Sequence, residues 1–471
     1  MNRRDFIKRT TGAVVATSAV LTACKNADKR AGTLSTESIT EQQDLGEMTM
    51  RINPNTGDKV SILGFGMMRL PVLAGGTARE NPDSPIDQET VNAMVDYALE
   101  HGVNYFDTSP VYCQGESERS TGIALSRHKR NSYFIATKLS NFSPEIWNFD
   151  DSKAMFENSL KDLQTDYIDY LLLHGIGMSR GGRDGMGSLY ARFLDNGLLD
   201  WLVEQKKAGR IRNLGFSYHG DIKVFDLLLH WHDEGRYHWD FAQIELNYLD
   251  WNFADEINAR NTDASYLYAE LDKRGIPAVI MEPLLGGRLA RLPEDIASHF
   301  RQRRPQASPA EWAFRFAGSP KGVLTVLSGM SYMEHLKENV RTYSPLQPLT
   351  DEEQTFLLDM AEELYGKKNV PCTGCNYCMP CPYGINIPAV FSHYNKSINE
   401  DRIPNFTDAD RKAFFEQRRA FLISYDRAIP KQRQADHCIG CDHCVNRCPQ
   451  RIDIPREMQK IDRLVERIKQ G

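Results

Sequence analysis

The stretch Val103-Asn104-Tyr105-Phe106-Asp107-Thr108-Ser109, running on into Pro110-Val111-Tyr112, decides how this chain is read. A short apolar run that ends on an acid and a polar turn has the character of a strand buried on both faces. The pattern recurs along the chain. Apolar runs begin near Ile62, Val103, Tyr133, Tyr170, Ile211, Phe241, Ile276 and Gly322, with amphipathic segments such as Glu89–His101, Ser152–Leu163, Leu189–Lys207 and Ser265–Arg274 between them. Several of these segments stop at Gly102, Gly209 or Gly275, and glycine most readily takes the left-handed conformation that closes a helix. Eight strands alternating with helices predict an α/β fold, a (β/α)8 TIM barrel. A doubly wound open sheet is disfavoured, because Leu63-Gly64-Phe65-Gly66 runs into Met67-Met68-Arg69 instead of completing a Gly-x-Gly-x-x-Gly turn.

In such barrels the chemistry lies at the C-terminal ends of the strands. Asp107 and Tyr112 follow Asn104-Tyr105-Phe106, Lys138 follows Ile135-Ala136-Thr137, and His174 follows Leu171-Leu172-Leu173. An isolated aspartate there is ordinarily a helix cap and an isolated histidine a structural one. Four such residues in order form a set. Phe106-Asp107-Thr108-Ser109 with Tyr112 and Gly115-Glu116-Ser117-Glu118, then Ala136-Thr137-Lys138, then Asp169-Tyr170-Leu171-Leu172-Leu173-His174, resemble the aldo-keto reductase family over roughly residues 60–341. The resemblance implies an oxidoreductase acting on CH-OH/C=O groups, with Asp107, Tyr112, Lys138 and His174 as its catalytic tetrad. The physical logic agrees: a tyrosine is a poor acid at neutral pH, and a lysine ammonium beside it eases loss of its proton. By this reading Tyr112 is the general acid, Lys138 tunes it, Asp107 holds Lys138, and His174 orients the carbonyl oxygen. Cys113 is expected to be structural.

The same resemblance implies a nicotinamide cofactor, NAD(P)(H), across the barrel mouth. Ser217 and Gln243 match positions that hold the carboxamide; Ser328, Gly329 and Met330 align with the phosphate end; Glu338 and Asn339 resemble adenine contacts. Met281 stands where a stacking aromatic is usual, and neither Ser328–Ser331 nor His335 supplies a lysine or arginine fork, so a preference for NADP is not implied. His219 and Glu282 are expected to point into the mouth, and Trp147, Tyr190, Trp251 and Phe253 are candidates for lining a pocket.

Of ten cysteines, eight fall in two groups: Cys372-x2-Cys375-x2-Cys378-x2-Cys381-Pro382 and Cys438-x2-Cys441-x2-Cys444-x3-Cys448-Pro449. The second has the spacing of a bacterial ferredoxin run, and the first is one residue shorter before its last cysteine. Because the fourth cysteine of such a run serves the other cluster, Cys372, Cys375, Cys378 and Cys448 are expected to hold one [4Fe–4S] cluster, and Cys438, Cys441, Cys444 and Cys381 the second. Zinc is the competing reading, but zinc pairs rarely form four-cysteine runs that end in proline. The helical insert from Asp408 to Arg427, and the repeat Ile385–Pro388 and Ile452–Pro455, resemble a helical dicluster ferredoxin domain.

The N-terminus reads as an address. Asn2-Arg3-Arg4-Asp5-Phe6-Ile7-Lys8 followed by an apolar stretch, Gly12 to Ala23, resembles a twin-arginine signal, and Leu21-Thr22-Ala23-Cys24 a lipobox with Cys24 lipidated. The expected organisation is a signal (1–24), a tether (25–47), the barrel (48–344), a linker with a helix from Asp351 to Leu364 (345–371) and the dicluster domain (372–471). A net charge of -6 gives no basic footprint for nucleic acid. The expected partners are a small carbonyl or alcohol substrate and a redox protein, with membrane contact only through the lipidated terminus, on the periplasmic side. Two rival readings are a nicotinamide-dependent reductase with purely structural clusters and a tethered electron-transfer protein with an idle barrel.

Overall fold

The computed structural model describes residues 45–256, 261–366, 369–404, 406 and 411–470. The signal, the lipobox and Cys24 lie outside them. Residues from Leu45 onward form one compact unit.

A short antiparallel hairpin, β1 (Met50–Ile52) and β2 (Lys59–Ser61), precedes the barrel. Eight parallel strands then close on themselves: β3 (Leu63–Gly66), β4 (Tyr105–Asp107), β5 (Phe134–Leu139), β6 (Ile168–Ile176), β7 (Ile211–Tyr218), β8 (Phe241–Glu245), β9 (Ala278–Met281) and β10 (Val323–Ser328), with β10 returning to β3. The interior is filled by inward residues, among them Tyr105, Ala136, Tyr170, Leu172, Phe241 and Val279. Tyr170 packs against Tyr105 and Phe241 at ring-centroid distances of 4.9 and 5.2 Å, so the barrel is a packed core with its chemistry confined to one end. Asn53, just after β1, closes the opposite end by donating to the Tyr170 hydroxyl at 2.9 Å.

One segment differs from the sequence reading. The single helix expected over Leu189–Lys207 is interrupted: Gly197, with φ of 74°, starts a separate helix Leu198–Lys207 after the turn at Asp195-Asn196. The linker contains the helix expected in it. Its helix, Asp351–Tyr365, is closed at its start by a reciprocal Thr350/Glu353 cap, sets Phe356 against Phe300 and Trp312, and places Glu353 2.6 Å from Arg315.

Beyond it, the two cysteine-bearing loops are held by three helices: Ile387–Asn399, Arg411–Ala428 and Ile454–Gln470. These share a buried apolar seam that includes Phe391, Tyr394, Phe421, Tyr425, Met458 and Ile461. Among the described residues no helix is long and apolar enough to cross a membrane.

Candidate active site

The register of β4 and β5 builds the centre. Asp107 pairs with Ala136, so Lys138, two residues on and on the same face, reaches back to it. The Lys138 Nζ donates to Asp107 Oδ1 at 2.5 Å and to the Thr108 carbonyl at 2.9 Å, with both side chains buried. Burial pushes the Asp107 carboxyl above and the Lys138 ammonium below their ordinary values, and each is the counter-charge that opposes this for the other. Tyr112 opens a tight turn after β4 in which Cys113 and Gln114 take positive φ. That turn lays the Tyr112 ring 4.9 Å from Lys138 Nζ and edge-on to His174 at 6.0 Å. Cys113 points away, its Sγ donating to the Met68 carbonyl at 3.4 Å.

His174 ends the polar side of the site. Its Nδ1 lies 2.5 Å from the Ser140 hydroxyl, which in turn meets Ser109 at 2.8 Å. Burial, followed by the nearby cations Lys138, Arg192 and Arg180, holds the imidazole well below its usual pKa, so it is neutral. With Nδ1 engaged, Nε2 is the atom left for a substrate oxygen. Tyr112 is pushed well above its ordinary value, first by burial and then by Tyr377, Asp107 and Glu282. It therefore holds its proton at rest. Lys138 is turned mainly towards Asp107, and its closeness to the phenol is the feature that would favour release.

The sequence-selected cofactor residues divide. Gln243 donates to Asp107 Oδ2 at 3.4 Å while its Oε1 is buried without a partner among the described residues, an acceptor suited to a carboxamide N–H. The Ser217 hydroxyl accepts from the Gly175 backbone at 2.9 Å. Ser328 accepts from Asn339, Glu338 accepts from Ser308, and Met330 is buried, so these residues are engaged within the protein. His219 Nδ1 lies 3.1 Å from Glu245 Oε1 at the mouth. Glu282, with φ of 54°, accepts from the Gly286 backbone at 2.6 Å. The four aromatics proposed for the pocket are used elsewhere: Trp147 donates to the Asn141 carbonyl, Tyr190 packs on Trp231, Trp251 on Phe316 and Phe253 on Tyr365. Phe142, 4.8 Å from the His174 ring, fills that role instead.

The cysteine loops lie on this mouth. Arg69 and Arg79 both donate to the Thr373 carbonyl, at 3.1 and 2.9 Å, and Asn376 donates to the Arg79 carbonyl at 3.1 Å. From the second loop, Gln450 donates to Glu245 at 2.7 Å. Gly286, in the loop after β9, is pressed so closely that an added Cβ would stand 2.5 Å from Thr373 Cα. In TIM barrels the loops after the seventh and eighth strands, here those after β9 and β10, are where phosphate is commonly held. Gln243 thus offers an acceptor for a carboxamide, and Thr373 packs against the loop after β9.

The cysteines suit multi-iron groups. Cys372, Cys375, Cys378 and Cys448 line one cavity, closed by Ile387, Phe391, Ile452 and Ile454. Cys381 and Cys441 both lie close enough to Cys438 and Cys444 to raise those thiols, which marks the four as a second group. Among the described residues no three donors close around a single ion. Four thiols facing a common space in an apolar shell are the donor set of a cluster. Neither the loop–mouth contacts nor the buried Arg192, which donates to the His174 carbonyl at 2.6 Å, was found from sequence. Arg192 sits in a segment read as a helix, and nothing in its spacing marks it as inward.

A closed barrel with an Asp–Lys pair, a tyrosine and a neutral histidine at its mouth, capped by a cysteine-rich domain, defines an iron–sulfur oxidoreductase. The sequence profile of the Aldo/keto reductase family matches residues 63–357, and the chain belongs to that family. A 4Fe-4S dicluster domain matches residues 371–452. The chain is similar to L-galactose dehydrogenase of Arabidopsis thaliana, 26% identical over 330 residues, which covers 66% of this chain and 92% of that protein. It also resembles D-arabinose 1-dehydrogenase of Saccharomyces cerevisiae, 31% identical over 169 residues, 34% of this chain and 46% of that one. Among solved structures, an aldo-keto reductase from Bacillus halodurans in its holo form superposes with a TM-score of 0.52 at 25% identity, covering 67% of this chain and 96% of that one.

Proposed function

We propose that the barrel interconverts a carbonyl and an alcohol, with two [4Fe–4S] clusters carrying the electrons. The observation that supports this most is that the loop bearing Cys372, Cys375 and Cys378 rests on the same mouth as Tyr112 and His174. A carbonyl becoming an alcohol takes up two electrons and two protons. When bound, the clusters supply one electron each, which meets that count. The protein's own part is proton handling and orientation. His174 Nε2 receives the substrate oxygen, Tyr112 donates its phenolic proton to that oxygen, and the second proton, which ends on the carbon, is taken from solvent. The fixed charge of Lys138, held by Asp107, stabilises the phenolate that remains. Cys372, Cys375, Cys378 and Cys448 would hold the cluster nearer the mouth, and Cys381, Cys438, Cys441 and Cys444 the other.

The N-terminal motif supports export by the twin-arginine route and lipid anchoring at Cys24 on the periplasmic side. That route carries folded proteins, which suits a chain whose clusters are built before export. Scarcity of free nicotinamide outside the cytoplasm suits an electron supply through a redox partner protein.

The testing experiment is anaerobic purification with iron, sulfide and bound-nucleotide analysis on one sample. About eight irons with no retained nucleotide, and none bound on titration, is expected. Stoichiometric retained NAD(H) or NADP(H) would move the reading to a preloaded hydride-transfer enzyme. Absence of iron would end it.

A further inference from the structure

Two arginines beside His174 form no ion pair among the described residues. Arg180 and Arg192 share one ring: their guanidinium carbons stand 4.4 and 5.2 Å from the centre of Phe142, which is itself 4.8 Å from the His174 ring. Arg192 is fully buried and directs its N–H groups to neutral oxygens, the carbonyls of His174 and Gly175 and the side chain of Asn141. Arg180 has less. Its Nη2 reaches the Met178 sulfur at 3.5 Å, a weak acceptor, and its Nε is buried with no partner among the described residues. A cation held away from water is ordinarily paired, because an unanswered charge there is costly. We propose that Arg180 is the anion-binding residue of the active site, and that the substrate is a 2-oxo or 3-oxo acid whose carboxylate it takes while His174 holds the carbonyl oxygen.

The local backbone places Arg180 firmly. It begins a two-residue turn in which Arg180 and Arg183 exchange backbone hydrogen bonds at 3.1 and 2.9 Å. Gly181 and Gly182 take φ of 55° and 74°, the paired positive values that so tight a turn requires and that glycine adopts freely. An added Cβ on Gly181 would stand 2.6 Å from the Trp147 ring, so the turn is pressed onto the loop after β5. Arg183 is exposed on the far side of the turn, while Arg180 is drawn in over Phe142. Near the end of β6, Gly175 lets Phe142 and Met178 close in, since a Cβ there would meet them at 3.2 and 2.9 Å.

A guanidinium lying over a ring keeps its N–H edge for a planar oxyanion, which it meets with two parallel hydrogen bonds. Laid end to end, the two distances through Phe142 put the Arg180 guanidinium carbon no more than 9.2 Å from the imidazole centre. A hydrogen bond of about 3 Å at each end takes most of that span. The carboxylate therefore stands on the carbon next to the carbonyl or one further on. Lys138 is already held by Asp107 and His174 is neutral, so the anion falls to Arg180. The proposal rests on the functional reading in taking His174 as the residue that binds the carbonyl oxygen.

The test uses the full chain with its clusters. Titration calorimetry compares oxamate, which has the shape of a 2-oxo acid but is not reduced, with methyl oxamate, which lacks the charge. Oxamate should bind, and its methyl ester on the order of a hundredfold more weakly. Arg180→Gln should remove that preference; Arg180→Lys, which keeps the charge without the fork, should restore only part of it. In turnover with reduced methyl viologen, the preference for pyruvate over methyl pyruvate should fall by a similar factor in Arg180→Gln, carried by KM. No oxamate binding by the wild-type protein, equal binding of the ester, or an affinity unmoved in Arg180→Gln would overturn the proposal. So would an Arg180→Gln protein whose only change is the midpoint potential of its clusters, since the arginine would then answer cluster charge. Should Arg180→Gln lose iron, wild-type protein labelled with [15N]arginine decides. Oxamate must then shift one Nε–H resonance that is missing from Arg180→Lys, and the lack of such a shift would overturn the proposal. Arg180-dependent oxamate binding in an enzyme that reduces no carbonyl compound would count against the functional reading and leave the anion site standing.

Discussion

Lys138→Met separates what the buried ion pair does for stability from what it does for chemistry. The ammonium sits 2.5 Å from Asp107 and 4.9 Å from the Tyr112 ring centre, with water excluded from both groups. At an effective dielectric of about 20, a unit charge 4.9 Å away favours the phenolate by about 3 kcal/mol, or on the order of a hundredfold in rate if fully expressed in the transition state. Removing the lysine also strands the Asp107 carboxylate, at a cost of roughly 3–5 kcal/mol in stability. Methionine preserves most of the volume, so packing loss is minor. The assay pairs oxidation of reduced methyl viologen by benzaldehyde with thermal melting. The single variant should lose both activity and stability. Adding Asp107→Leu replaces the whole pair by apolar groups and should recover most of the melting temperature with no recovery of rate. A Lys138→Met enzyme that keeps more than about a third of its activity would refute the electrostatic role, since the 3 kcal/mol estimate leaves no room for it.

Other outcomes follow from the same geometry. Tyr112→Phe should lower turnover by on the order of a thousandfold while leaving iron content unchanged, as measured by colorimetric iron assay beside the rate. Cys448→Ser should disturb the cluster of the first cysteine group rather than that of its own, leaving about four irons; loss of the signal belonging to Cys438, Cys441 and Cys444 instead would reverse the pairing. Glu118 is buried, accepts from Thr137 and Ser159, and burial pushes its carboxyl up to about 7. Its folded value thus lies above its unfolded one, so the stability it contributes is full below pH 4.5 and fades as pH rises through 7, by about 3 kcal/mol in all. Glu118→Gln should therefore melt with a shallower pH dependence between pH 5 and 8; an identical slope would show that Glu118 is not the titrating group.

The barrel was legible because strands buried on both faces write themselves as unbroken apolar runs, and because Asp107, Lys138 and His174 lie within or directly after such runs. A strand end fixes where a side chain points, so order along the chain carried over into proximity. The crossing of the two cysteine groups was equally accessible, since short spacing limits what one loop can encircle. What stayed hidden depends on contacts between segments far apart in sequence. Nothing around Tyr377 in Asn376-Tyr377-Cys378 marks it as a residue that meets the barrel: its ring partner Phe142 lies more than 230 positions earlier. The aromatics picked for the pocket failed for the same reason. Trp251 and Phe253 are close to the mouth in sequence, yet a short helix, Asp250–Phe253, turns them onto Phe316 and Tyr365. Thr373 gave no sign that its backbone would be held against the loop after β9, because that contact is made by Arg69, Arg79 and Gly286.

The most direct test of the account is a single-turnover experiment without nucleotide. The anaerobic protein is reduced by dithionite, freed of excess reductant and mixed with a panel of small aldehydes and ketones, while the cluster signal is followed by EPR. The account predicts reoxidation of both clusters with one alcohol formed per protein, and neither event in Tyr112→Phe. Clusters that stay reduced towards every carbonyl, beside turnover that proceeds only with NADH or NADPH, would contradict it.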